Sequence, residues 1–251
     1  MYFVNWQRDV SVQQLDGRTV VIKKNKLTKD FHEYLLAATY SIMSVLMAHP
    51  SVPPPAGKLA LGNEGTDMRN NLKRLGIPTP FLISISADTI VEEYVEGGNL
   101  YKAFANEECK ENIICSLAFQ AGSITGKLHK AGSVFTDNKS QNYLVNHDNS
   151  IVRTDLGFIH KSNSVFAQSM DIASFLASVI DFEQFQYETI EKGFRDGYTS
   201  AVKRNFPYLY ILLRNILSLG FASDQSAMLQ NMAKGSIQGS IKRKRTAKER
   251  N

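Results

Sequence analysis

The chain has 251 residues, 43% hydrophobic and 21% charged, which suits one large domain or two small lobes and excludes disordered and membrane-embedded classes. Its net charge of +5 is carried by the C-terminal end, where from Lys234 onward seven Lys or Arg face one acid, a segment net of +6 that leaves the rest at about −1. A basic nucleic-acid-binding body is thereby excluded, and any contact with RNA or an acidic partner falls to the tail, which otherwise serves as a solubilising terminus.

In chain order, the start MYFVNWQRDV has no basic region leading into an apolar run, so no secretory signal is expected. Residues 18–24, RTVVIKK, are β-branched and follow Asp16-Gly17, which predicts a strand after a tight turn. A helix is expected over 29–48, stopped by His49-Pro50, with a stiff loop at 51–57. The longest apolar stretch, 34–48, is shorter than the roughly 20 residues that cross a bilayer, so no membrane span is expected. A second helix is expected over 66–75, ended by Gly76, and then strands over 81–86 and 89–95. Past Gly97-Gly98 the character becomes helical, with a long helix over 111–130, short strands at 143–145 and 151–153, and helices from 167 onward. The pattern predicts an α+β bilobal fold: a β-rich lobe over 1–95, a helical lobe over 96–233 and a basic tail over 234–251. Cys109 and Cys115 are expected as free thiols in a reducing compartment, the cytoplasm.

The chemistry concentrates in 128–157, LHKAGSVFTDNKSQNYLVNHDNSIVRTDLG. Phosphoryl transfer needs metal ligands, a group that orients the attacking hydroxyl, and cations against the phosphate charge. Asp137 and Asn142 stand five apart on one polar loop, so one can face the nucleophile and the other a metal. Asp155 adds a hard carboxylate suited to Mg²⁺, and Gly157 lets the backbone turn just after it.

These residues resemble a protein-kinase site. Asp137-Asn138-Lys139-Ser140-Gln141-Asn142 is similar to the kinase catalytic loop, and Asp155-Leu156-Gly157 resembles the DFG motif. Val20-Val21-Ile22-Lys23 resembles the VAIK strand, and residues 91–100, VEEYVEGGNL, resemble the hinge. Asp171-Ile172-Ala173-Ser174 is similar to the buried aspartate that supports the catalytic loop. The pattern departs from the conventional family in several places: no GxGxxG precedes Lys23, Phe135-Thr136 replaces His-Arg, Leu156 replaces the middle residue of DFG, Glu92 stands at the apolar gatekeeper position, and only 13 residues lie between Gly157 and Asp171. With no room for a full activation segment, the plan resembles small atypical kinases: the RIO kinases, the kinase of the tRNA-modifying KEOPS complex and the lipopolysaccharide-core kinases.

The resemblance implies an ATP- and Mg²⁺- or Mn²⁺-dependent phosphotransferase, most simply of serine/threonine type, with a protein partner or protein substrate. It implies roles in turn: Asp137 and Lys139 catalytic; Asn142 and Asp155 at the metal; Lys23 on the α/β-phosphates; backbone groups of Glu93 and Val95 on adenine. Glu64 is the expected partner of Lys23, with Asp67 and Glu33 as other carboxylates and Lys24 as another lysine. Two alternatives share the fold: a non-catalytic nucleotide-binding scaffold in an RNA-modification complex, and a small-molecule or sugar kinase.

Overall fold

A computed structural model describes residues 8–221 and 227–232, so the basic tail over 234–251 lies outside the described residues. The elements run β1 (Arg8–Leu15), β2 (Arg18–Asn25), α1 (Lys29–Leu46), α2 (Lys58–Asn63), α3 (Thr66–Arg74), β3 (Leu82–Ile85), β4 (Thr89–Glu93), α4 (Leu100–Ala105) and α5 (Glu111–Lys130). They continue through β5 (Ser133–Val134), a 3₁₀ turn (Ser140–Asn142), β6 (Tyr143–Val145), β7 (Ile151–Arg153), β8 (His160–Lys161), α6 (Val165–Ala177), α7 (Gln184–Val202) and α8 (Tyr210–Phe221). This is the expected α+β architecture, with an antiparallel four-stranded sheet in the N-terminal part and helices after it.

The sheet has the order β1-β2-β4-β3. Its first hairpin closes over Asp16 (φ 49°) and Gly17 (φ 75°), two left-handed residues that match the strand twist. β2 lies inside the sheet, and it turns Lys23 inward to 9% exposure while Lys24 faces solvent. That settles which lysine points into the molecule. Small strand pairs, β6 with β7 and β5 with β8, frame the polar loop between α5 and α6.

The helical part is organised around a close crossing of α5 and α7. Gly122 and Gly126 of α5 lie against the α7 backbone at Phe194 and Tyr198, and Gly193 and Gly197 of α7 against the α5 backbone at Cys115 and Phe119. A Cβ at Gly197 would stand 1.9 Å from the Phe119 carbonyl oxygen, and one at Gly122 the same distance from that of Phe194. No backbone can absorb such an overlap without moving the helix. Gly197→Ala is therefore expected to cost about 3 kcal/mol, the upper end for overpacking, read as a lower urea midpoint at unchanged slope. Phe175 of α6 stacks on Phe194 with centroids 4.1 Å apart, which ties α6 to this pair.

α1 does not stay with the sheet. Tyr40, Met43 and Met47 pack on Phe166, Ala167, Met170 and Leu213 of α6 and α8, with the Tyr40 and Phe166 rings 5.0 Å apart. The N-terminal helix thus rests on the helical part, a packing that periodicity alone does not specify. Among the described residues, no helix is long and apolar enough to cross a membrane. Cys109 and Cys115 are both free thiols.

Candidate active site

The loop after β5 is held from below by one buried carboxylate. Asp171, fully buried on α6, accepts from the backbone N–H of Phe135 at 2.7 Å and of Thr136 at 2.6 Å. It also meets His129 Nε2 at 2.9 Å, at the end of α5. Thr136 adopts φ 67°, a left-handed conformation costly for a β-branched residue, and the Asp171 bonds hold it there. The chain is thereby turned so that Asp137 follows at the mouth of the loop.

Asp137, Lys139 and Asn142 come together on this loop. Lys139 Nζ lies 2.7 Å from Asp137 Oδ1. Asn142 Nδ2 donates to the Asp137 carbonyl at 2.8 Å and to Asp137 Oδ2 at 3.2 Å. Beneath them lies Arg153, fully buried on β7, which donates to the carbonyls of Asn142 and Asp137, each at 2.8 Å. Its guanidinium sits 4.6 Å from the Phe135 ring centroid and 5.0 Å from that of Tyr143. Cation–π contact and two carbonyls compensate the buried charge. The Thr154 N–H bonds the Asn142 carbonyl at 3.0 Å. Asp155, at φ 59°, therefore follows directly beside Asn142.

Above the loop stands a network of buried charges. Lys23 Nζ forms an ion pair with Glu92 and donates to Thr154 Oγ1 at 2.6 Å. Glu92 Oε2 also takes Arg69 Nη2 at 2.9 Å, and Thr154 Oγ1 donates to Glu92 Oε1 at 3.1 Å. The expected pairing of Lys23 with Glu64 is therefore corrected: Lys23 bonds Glu92. Glu64 instead takes Arg8 Nη1 at 2.9 Å, and the same nitrogen reaches Asp155 Oδ1 at 3.1 Å. Neither alternative carboxylate replaces it, since Glu33 pairs with Lys29 at 2.6 Å and Asp67 is exposed.

The strand register explains the exchange. β2 pairs β4 with Lys23 opposite Ile90 and Val21 opposite Glu92. Glu92 is thus the diagonal neighbour of Lys23, within reach of a long side chain. A carboxylate as buried as that of Glu92 must find a cation, and Lys23 and Arg69 supply two. Burial alone would raise the Glu92 carboxyl, but these cations outweigh it and hold it below the usual carboxylate range. Burial also pushes Asp155 up, and Arg8, Lys23, Arg153 and Lys139 pull it lower still.

A folded carboxyl held below its unfolded value contributes stability that is present above the unfolded value and lost as pH falls through the folded one. Glu92→Gln is thus expected to be less stable than wild type at neutral pH, with the difference shrinking as pH falls through and below the ordinary carboxylate range. Urea midpoints across that range check it; a difference that widens in acid contradicts it.

Glu93 and Val95, the residues expected at the hinge, lie at and just beyond the end of β4. The Glu93 N–H donates to the Phe81 carbonyl at 2.9 Å, and Glu93 Oε1 accepts the Phe81 N–H at 2.8 Å. Val95, just beyond, is 8% exposed. Among the described residues, no cluster of three or more His, Cys, Asp or Glu could hold a metal ion. The Asn142 amide oxygen and the Asp155 carboxylate are hard donors that fit Mg²⁺, with Arg8 already sharing Asp155.

Arg8, Arg69, Arg153 and Thr154 were not legible as site residues. An acidic residue at the gatekeeper position is the one sequence signal that calls for a buried cation nearby.

No family model matches the chain. Over 129 residues it is 30% identical to the "Probable bifunctional tRNA threonylcarbamoyladenosine biosynthesis protein" of Methanoculleus marisnigri, covering 51% of this chain and 22% of that protein. A protein of the same description from Methanocaldococcus jannaschii is 27% identical over 135 residues, 53% of this chain and 24% of that protein. The "Probable serine/threonine-protein kinase BUD32 homolog" of Archaeoglobus fulgidus is 27% identical over 127 residues, 50% of this chain and 59% of that protein. The match thus spans less than a quarter of the two bifunctional relatives and under two thirds of the kinase homolog. In these matches and in its α+β frame with an N-terminal antiparallel sheet, the chain is similar to the atypical small protein-kinase-like group that includes the BUD32 homolog.

Proposed function

We propose that the chain binds ATP with Mg²⁺ or Mn²⁺ and transfers the γ-phosphoryl group to a hydroxyl, as an atypical serine/threonine-type kinase acting in tRNA threonylcarbamoyladenosine biosynthesis. The observation that carries this reading is the assembly of Asp137 with Lys139 at 2.7 Å and with Asn142, beside Asp155. The relatives' names supply the process, and a soluble cytoplasmic setting with a protein partner or protein substrate goes with it. The tail over 234–251 would add any RNA contact. Residues 1–95 would bind the nucleotide and 96–233 would carry the catalytic loop.

Asp137 would accept a hydrogen bond from the acceptor hydroxyl and orient its oxygen toward the γ-phosphorus. As the new P–O bond forms and the bond to ADP breaks, the hydroxyl proton passes to Asp137, and Lys139 offsets charge on the transferring group. Asn142 and Asp155 would hold the divalent ion, which when bound neutralises charge on the β- and γ-phosphates. Backbone groups of Glu93 and Val95 would meet adenine. Lys23 would turn from Glu92 to the α/β-phosphates, and Glu64 Oε2, buried without a hydrogen-bond partner, is an acceptor open to it after that move.

One observation favours the second reading, a nucleotide-binding scaffold: Lys23 and Asp155 are each already paired, to Glu92 and to Arg8. Incubation with γ-labelled ATP and Mg²⁺ or Mn²⁺ separates the two. Labelled product or phosphate above a chelated control supports the kinase. Nucleotide bound without turnover supports the scaffold.

A further inference from the structure

Arg8 opens β1, and its side chain is only 7% exposed. Its Nε donates to Asn25 Oδ1 at 3.2 Å, which anchors the side chain to the end of β2. Its Nη1 lies between two carboxylates, Glu64 Oε1 at 2.9 Å and Asp155 Oδ1 at 3.1 Å. Glu64 is fully buried and Asp155 retains 29% exposure. A buried carboxylate without a cation is strongly unfavourable, so Glu64 fixes where the guanidinium sits. Arg8 is thus a permanent positive charge, held by Asn25 and Glu64 and bonded to the one carboxylate that the kinase reading assigns to a divalent ion.

From this geometry we infer that Arg8 is a tethered cation that competes with the divalent ion for Asp155 and in part takes its place in binding the nucleotide. The inference rests on the nucleotide-site reading above and adds a positioning residue to it. Two consequences follow from electrostatics. A fixed cation beside Asp155 lowers the repulsion between that carboxylate and a triphosphate, so ATP binding should need little metal. The same cation opposes entry of a divalent ion, so the metal needed for turnover must displace Arg8 from Asp155. The Glu64 contact keeps the guanidinium nearby when it is displaced.

The test is ATP affinity by calorimetry in EDTA and in saturating Mg²⁺, for wild type, Arg8→Gln and Arg8→Lys. Wild type is expected to bind ATP with affinities within about fivefold in the two conditions. Arg8→Gln should lose about tenfold or more in EDTA and little in Mg²⁺, and its half-saturating Mg²⁺ concentration should fall. Arg8→Lys keeps the charge and should restore much of the EDTA affinity.

A purely structural role would weaken both conditions equally, with no change in metal requirement, and that result overturns the inference. Wild type alone also decides it: ATP binding that is strongly metal-dependent overturns the inference even where Arg8→Gln fails to fold. Wild type that binds no ATP in either condition overturns both this inference and the nucleotide-site reading. ATP binding with an equal loss in both conditions for Arg8→Gln overturns only the role of Arg8.

Discussion

Asp137→Ala is expected to lower phosphoryl transfer by about 10²–10⁴-fold, the range for loss of a positioned general base, while ATP affinity changes less than about threefold. The side chain lies on the loop rather than among the groups assigned to the nucleotide. Its carboxylate bonds Lys139 at 2.7 Å and Asn142 Nδ2 at 3.2 Å, and its backbone carbonyl keeps Arg153 and Asn142 whatever the side chain is. Truncation therefore removes the base and one contact of Lys139 without unhooking the loop. Asp137→Asn preserves the size and the contact to Lys139 and should be as inactive, because an amide cannot accept the hydroxyl proton. Turnover and nucleotide affinity measured on the same preparations check both. A large loss of ATP affinity would show that Asp137 holds the nucleotide instead.

Asp171→Ala is expected to cost about 4 kcal/mol of folding stability, since it strands three buried donors at once at about 1–3 kcal/mol each with partial relief from water. The N–H groups of Phe135 and Thr136 lose acceptors at 2.7 and 2.6 Å, and His129 Nε2 loses its partner at 2.9 Å. Thr136 also loses the bond that holds its left-handed backbone. Against a typical total of about 5–15 kcal/mol, a loss of that size should leave a substantial unfolded fraction at 37 °C. Urea unfolding gives the value directly. A loss under about 1 kcal/mol would mean the loop stands without its carboxylate. Asp171→Asn keeps one acceptor and should fall between wild type and Asp171→Ala.

The parts of this molecule that sequence displays are those with a strong local pattern. The helix expected over 111–130 is observed at Glu111–Lys130, and the strands expected at 143–145 and 151–153 are observed there. Those segments carry long apolar periodicity or a short hairpin signal. β1 was not legible, because after Arg8 every residue from Asp9 to Leu15 is exposed and no apolar face marks the strand. α2 is equally hard to read from sequence, being six residues long with a glycine near its end. The helix expected over 29–48 ends at Leu46, but its packing against α6 depends on residues more than 100 positions away.

The candidate site divides along the same line. Asp137, Lys139, Asn142 and Asp155 lie within one segment of fewer than 20 residues, and their order alone makes the motif readable. The charge network above them is assembled from separate strands and helices: Arg8 on β1, Lys23 on β2, Glu64 after α2, Arg69 on α3 and Glu92 on β4. Which carboxylate takes which cation depends on strand register and burial. A resemblance to kinases supplies Glu64 for Lys23, whereas the diagonal of the β2–β4 pair supplies Glu92. The departure at Glu92 was visible in the sequence, but its physical answer, two cations converging on one carboxylate, was not.

The most direct test of the central claim is transfer of γ-phosphate from ATP with Mg²⁺ or Mn²⁺ by wild type, Asp137→Ala and Asp155→Ala side by side. The expectation is metal-dependent transfer by wild type and its loss in both variants, with ATP affinity retained in Asp137→Ala. Wild-type rates in Asp137→Ala would contradict it.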